Sequence, residues 1–329
     1  MKTLTSLFLS LGLCLSLGAC GDAGSSAVPN PDPGPVNPDP MPDPNATPLT
    51  GTLTANQTLS GTVAMTGDVI VPSGITLTVS AGTVISVQGN FALSIKGDLE
   101  VQGSAASAVQ FVGPAGKQWG GIAVSGTGQA NLSYAQISGA MQGFATAAGT
   151  KYALDHVLIK DTQAALVLAS TGTVTKTVLM GLGASQYMPS ISIQDSSPTF
   201  TDVQVTNGAG NPGLDSIIVN GNASPQFDHL EVTGFHCAFH FNSGVNIAIT
   251  NSYVHDNYYG VMVYSATPFT FANSNLLNNQ TANIGDCSTT SVTSQGNFFG
   301  GAAAFDKSCE TQKNLSPAGK MIDGAGYRP

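Results

Sequence analysis

Arginine occurs once in the 329 residues, at Arg328, and charged residues make up only 9% of the chain. No basic patch can be assembled from so few cations, which excludes a nucleic-acid partner and an electrostatic anionic-lipid surface. The net charge of −9 also disfavours acidic polysaccharides unless calcium bridges the charges. Long helices draw on Glu, Lys, Arg and Leu, and the scarcity of charge argues against them. There is no G-x-S-x-G, no H-E-x-x-H and no phosphate-binding loop, so those short catalytic signatures are absent. What remains is 39 glycines, about twice the usual share, with much Thr, Ser and Asn. That composition fits an all-β protein rich in turns, and a hydrophobic fraction of 42% suffices for a sizeable core.

The N-terminus reads as an address. Lys2 supplies a positive charge, Leu7 to Leu17 is apolar, and Leu17-Gly18-Ala19-Cys20 follows. A stretch this short suits a signal peptide better than a membrane span. The four residues resemble the lipobox of bacterial lipoproteins. That resemblance implies cleavage after residue 19 and a diacylglycerol, with palmitate-like acyl chains, on Cys20. By the same resemblance Gly21, which is not Asp, favours the outer membrane, on its periplasmic or cell-surface face. Nine of the twenty residues from Pro29 to Pro48 are Pro. Such a tract is extended, about 60 Å at about 3.1 Å per residue, and would hold a folded body off the membrane.

The body repeats. A large apolar residue, a small or apolar one three positions on and an aliphatic one two further on recur along the chain. They read Leu132-Ala135-Ile137, Leu154-Val157-Ile159, Val174-Thr177-Leu179, Phe200-Val203-Val205, Phe227-Leu230-Val232, Ile249-Ser252-Val254 and Phe271-Ser274-Leu276. A second alternating strand follows in each repeat, as in Ile191-Ser192-Ile193, Ile217-Ile218-Val219, Phe239-His240-Phe241 and Val261-Met262-Val263. Short strands at a period of about 22 residues, separated by Gly, Asn, Ser and Asp, predict a parallel β-helix of about ten rungs. Upstream, Ile75-Leu77-Val79, Val84-Val87, Leu93-Ile95 and Leu99-Val101 alternate with Gly82, Gly89, Gly97 and Gly103, and Lys117-Gln118-Trp119-Gly120-Gly121-Ile122 follows. Over about residues 66–300 the chain resembles the pectin-lyase-like right-handed β-helix modules of bacterial surface lipoproteins. The expected organisation is a signal peptide at 1–19, a lipidated tether at 20–48, the β-helix at 49–300 and a capping tail at 301–329.

Stacked rungs turn repeat positions into columns. One holds Tyr134, His156, Lys176, Asp202, His229, Asn251 and Asn273, the polar residues of a solvated face. Asp256-Asn257 and Asn278-Asn279, with Asn207, read as a structural amide ladder. The outward side of the second strand carries Ser192, Ile218, His240 and Met262, flanked by Gln194, Asn220, Asn242 and Tyr264. His240, Asn220, Asn242 and Tyr264, with Asp202, Asp228 and His229, form the candidate binding face. His236, Cys237, His240 and His255 invite a metal reading. Residues four apart on a strand span about 13 Å, however, so no metal and no cofactor is expected. Cys287 and Cys309 lie 22 residues apart, one rung, which predicts a disulfide between them. Cys237 is then expected to pack near Asp215 and Tyr259.

The resemblance also sets demands on an enzyme reading. Pectate and pectin lyases use an arginine base, and the body has none. Polygalacturonases use clustered Asp residues, whereas Asp155, Asp161, Asp195, Asp202, Asp215, Asp228, Glu231 and Asp256 are scattered. The preferred expectation is a non-catalytic, surface-tethered module for adhesion, envelope architecture, or binding of a polysaccharide or an envelope protein. The alternative is a polysaccharide lyase or hydrolase, which fold analogy alone supports.

Overall fold

The computed structural model describes residues 45–181, 188–207, 213–264, 268–285, 292–300 and 315–329. Cys20 and the leader, the Pro-rich tract up to Pro44, and both Cys287 and Cys309 lie outside the described residues. Two units divide the chain, Met1–Asn37 and Pro38–Pro329, and all that follows concerns the second.

This unit is an all-β parallel solenoid of about ten turns. Every strand-to-strand pairing is parallel, and the strands of one turn pair with those of the next. Each turn uses three strands. In one turn the chain runs through Thr199–Thr206, which bends at Asp202 into two strands, and then through Ile217–Asn220. The next turn repeats this as Gln226–Thr233 and Cys237–Phe241, in register with Phe200 on Phe227, Val203 on Leu230 and Ile217 on Phe239. At about 4.8 Å per rung, ten turns give a rod of about 50 Å.

The repeat positions read from the sequence are the core. Leu132, Leu154, Val174, Phe200, Phe227, Ile249 and Phe271 are all buried, as are the aliphatic residues five positions on. Phe200 stacks on Phe227 at 5.1 Å, and Phe227 meets Phe239 edge-on at 5.3 Å, so an aromatic seam links neighbouring turns. Such stacks add to the area they bury.

The column from Tyr134 to Asn273 is a corner. Tyr134, His156, Lys176, Asp202, His229, Asn251 and Asn273 all sit at positive φ, between 45° and 54°, and Gly296 continues the column at 64°. One left-handed residue turns the chain between two strands without a loop. That conformation costs an L-residue roughly 1–2 kcal/mol, so the surroundings must hold it. Just past the corner a buried ladder supplies acceptors to backbone N–H groups of the preceding turn. Leu230 N donates to Ser252 Oγ, Ser252 N to Ser274 Oγ, and Ser274 N to Asn297 Oδ1. A second buried ladder matches the expected Asn stack: Asn257 Nδ2 donates to Asn279 Oδ1 at 3.1 Å, and Phe235 N to Asn257 Oδ1 at 3.0 Å.

The described C-terminal residues do two things. Leu315–Pro317 adds a strand to Val292–Gly300. The chain then runs back along the corner column: Ile322 exchanges two hydrogen bonds with the Asn275 side chain, Gly326 N donates to Asn251 O, and Arg328 reaches Asp202.

The ladder yields a stability prediction. Ser274→Ala strips the Ser252 N–H of its buried acceptor and should cost about 1–3 kcal/mol. A shift of the urea midpoint to lower concentration at unchanged slope would show it, and an unchanged midpoint would contradict it.

Candidate functional site

The site lies on the strand that follows the corner-linked pair. Here Ile217–Asn220, Cys237–Phe241 and Tyr259–Val263 stack in register, with Ile218, His240 and Met262 aligned. Asp215 lies two residues before the first of these strands, so the same register carried upstream sets it beside Cys237, which pairs with Tyr259. The expected setting of Cys237, beside Asp215 and Tyr259, is the one observed. Cys237 is 1% exposed.

Asp215 gathers the site. His240 Nδ1 lies 2.6 Å from Asp215 Oδ2, and His236 Nδ1 lies 3.3 Å from Asp215 Oδ1. A carboxylate can only accept, so each imidazole presents Nδ1–H to it. The Cys237 thiol also hydrogen-bonds to Asp215, and its Sγ sits 3.4 Å from His236 Nδ1. Burial pushes the Asp215 carboxyl up. The hydrogen bonds from His236, His240 and Cys237, with the charge of His240, outweigh that and hold it well below the usual carboxylate range.

This corrects one piece of sequence reasoning. A spacing of four was expected to hold His236 and His240 about 13 Å apart. His236 instead occupies the bend before the strand begins at Cys237, so its ring swings onto the same carboxylate. Asp215 and His236 were missed as partners because the columns were followed only inside strands. Extending the register two residues upstream puts Asp215, Cys237 and Tyr259 in one column and His236 beside Tyr258, on which it stacks at 5.1 Å.

The other side of His240 is a polar relay. Its Nε2 lies 3.1 Å from Asn242 Oδ1, and Asn242 Nδ2 donates to Asn220 Oδ1 at 3.0 Å. Both amides can flip, so the chain of donors reverses if Nε2 carries no proton. Tyr264, 53% exposed, stacks on the His240 ring at 4.5 Å. Four of the seven expected face residues, His240, Asn220, Asn242 and Tyr264, thus form one continuous patch.

The other three lie elsewhere. Asp202 and His229 are corner residues, and each nearby carboxylate has its own partner. Asp202 is buried and accepts Arg328 Nε at 2.6 Å and Nη2 at 3.2 Å. Asp228 accepts from Asn251, Thr250 and, at 2.8 Å, His229. His156 joins Asp155 in the same way two turns upstream of Asp202. His255 is separate from His236, Cys237 and His240: its Nδ1 meets Asp256 at 2.6 Å and its Nε2 meets Glu231 at 3.4 Å. The open depression lined by Val112, Pro114, Lys117 and Asp161 is on other turns and gathers no comparable group.

The right-handed β-helix region family matches residues 189–314, which span these turns. With the solenoid described above, the class of the body is a right-handed parallel β-helix. No curated protein sequence matches the chain. Among solved structures it is similar to the catalytic domain of a GH87 alpha-1,3-glucanase in complex with tetrasaccharides. The identity is 11%, over 86% of this chain and 69% of that one, with a TM-score of 0.49. The same catalytic domain with nigerose gives 10% identity, the same coverage and 0.47. The A-module of the Azotobacter vinelandii mannuronan C-5 epimerase gives 11% identity over 87% and 91%, with 0.33. At such scores these likenesses say nothing about activity.

A pH prediction follows from His255. Burial pushes its imidazolium down, but hydrogen bonds to Glu231 and Asp256 and their charges outweigh that, so it titrates above its ordinary value. A raised value adds stability in full below about 6.5, its unfolded value, and loses it as pH rises through the folded one. The stability gap between the wild type and His255→Gln should therefore be widest between about pH 5 and 6.5, where both carboxylates are ionised, and should shrink at higher pH. Urea unfolding across that range measures it, and a gap that widens with pH would contradict the assignment.

Proposed function

We propose that the chain is a lipid-anchored surface module that binds a neutral glycan on the Asn220–His240–Asn242–Tyr264 patch without cleaving it. The observation that carries this reading is an exposed tyrosine ring beside two amides whose donors and acceptors can reverse. A pyranose needs an apolar face to stack on and groups that both donate to and accept from its hydroxyls. The acidity of the chain favours a neutral sugar over an anionic one.

The carboxylates argue against cleavage. Glycoside hydrolysis uses two carboxyl groups, about 5–5.5 Å apart in retaining and about 6.5–9.5 Å apart in inverting enzymes, with open space between them. Among the described residues, Asp202, Asp215 and Asp228 are each held by their own guanidinium, imidazole or amide partners. Glu231 and Asp256 are both taken up by the His255 ring, one at each nitrogen. A lyase or hydrolase is the alternative and predicts cleavage.

Anchoring rests on the lipobox and the Pro-rich tract. Cys20 carries the lipid in the outer membrane, and the tract extends between the anchor and the body. Envelope architecture and protein binding remain roles for the same displayed rod.

A glycan array run beside a polysaccharide-cleavage screen, with and without calcium, tests the binding reading. Retention of a neutral glycan without cleavage is expected, weakened about two- to twelvefold by Tyr264→Ala, since an aromatic contact contributes about 0.5–1.5 kcal/mol. Release of shorter sugars from any polymer would overturn it. Labelling cells with radioactive palmitate should mark the wild type and leave Cys20→Ser unlabelled. Equal labelling of the two would refute the anchor.

A further inference from the structure

We propose that Asp215, His236, Cys237 and His240 together bind one divalent transition-metal ion of zinc type. Three donors of three kinds converge on one point, a carboxylate oxygen, an imidazole nitrogen and a sulfur, and a second imidazole stands against two of them. The ligand atoms of Asp215, Cys237 and His240 all lie within 4.8 Å of one another. His236 Nδ1 stands 3.3 Å from Asp215 Oδ1 and 3.4 Å from Cys237 Sγ.

Those distances are close to the edges of a metal tetrahedron. With bonds of about 2.0–2.1 Å to nitrogen and oxygen and about 2.3 Å to sulfur, ligand atoms sit about 3.3–3.6 Å apart. Two of the separations already have that length. His240 Nδ1 lies 2.6 Å from the other carboxylate oxygen, Asp215 Oδ2, so the carboxylate must turn or bind through both oxygens, and that contact must open by about 0.7 Å as an ion replaces the shared proton. The donor set selects the metal class. Sulfur and imidazole suit zinc and its neighbours, whereas calcium and magnesium require oxygen throughout. A carboxylate and a thiolate balance the two charges of the ion.

The surroundings are those of a held site. Cys237 is buried, and the Asp215 side chain is about one-fifth exposed. His240 uses its second nitrogen on Asn242, and His236 is clamped between Tyr258 and Tyr259. Such outer partners fix ring orientation and tune affinity. The register supplies the ligands from two successive turns, with Asp215 before one strand and the other three around the start of the next. An ion here would pin those turns together.

The metal site shares His240 with the glycan patch, and one experiment separates the two readings. Cobalt(II) is titrated into the full-length, metal-free protein with its thiols reduced. One ion per chain is expected, with strong visible bands of tetrahedral cobalt, a thiolate-to-cobalt charge-transfer band, and displacement of both by zinc. Cys237→Ser should lose the charge-transfer band. His236→Ala and His240→Ala should each weaken binding by more than the about 10- to 100-fold that loss of an outer partner costs. Asp215→Asn, nearly isosteric, reads the same loss should an alanine variant fail to fold. His255→Ala, whose ring lies on other carboxylates, should bind cobalt as the wild type does, and the titration is read without glycan, so that failure of one reading leaves the other standing. Absence of the charge-transfer band in the wild type, or its survival in Cys237→Ser, would overturn the proposal.

Discussion

Between the first two strands of each of the central and C-terminal turns the chain bends at one residue held at positive φ, from Tyr134 through Asn273. A single left-handed residue makes the bend without slack, so each turn keeps its register on the last. The strain is local, and the relief is shared between turns: Ser252, Ser274 and Asn297 offer buried acceptors to the backbone one turn back. Stacking also helps at the surface, where the Tyr134 and His156 rings lie 4.3 Å apart. Because every side chain alternates in and out, a slip of one residue would turn the core outward. The corner column and the buried ladders are what prevent it.

The site inherits its geometry from this register. Asp215 belongs to one turn, and His236, Cys237 and His240 to the next. They meet only because Ile217 sits on Phe239 and the loops before both strands end in step. The same register carries Asn220 to Asn242 and places Tyr264 over His240. One flank of the rod thus offers a buried donor cluster and, a few ångströms further, an exposed aromatic and amide patch. Along the corner column the same chemistry has another outcome. Asp155, Asp202 and Asp228 are each taken up by a neighbouring His or by Arg328, so those residues hold the corner and the returning tail.

Much of this was legible in the sequence. The inward residues and the turn period could be read directly, since alternation and stacking leave the large apolar residues at fixed offsets. His240, Asn220, Asn242 and Tyr264 were placed together because all four lie on or just after strands, where register is simple. Two things were hidden. The corner column reads as ordinary surface, because nothing in Lys176 or His156 announces a left-handed backbone that Gly or Asn would usually supply. The junction of His236 with His240 was hidden because the rule for strands was applied across the bend at His236. Arg328 on Asp202, 126 residues away in sequence, has no local signal at all.

Imidazole nitrogens report most directly on whether register gathers the site. In the metal-free protein, a long-range proton–nitrogen correlation spectrum should show a proton on Nδ1 of both His236 and His240, with both signals moved by Asp215→Asn. If either ring holds its only proton on Nε2, or if Asp215→Asn leaves both signals where they were, the two histidines do not share that carboxylate, and the site as described does not exist.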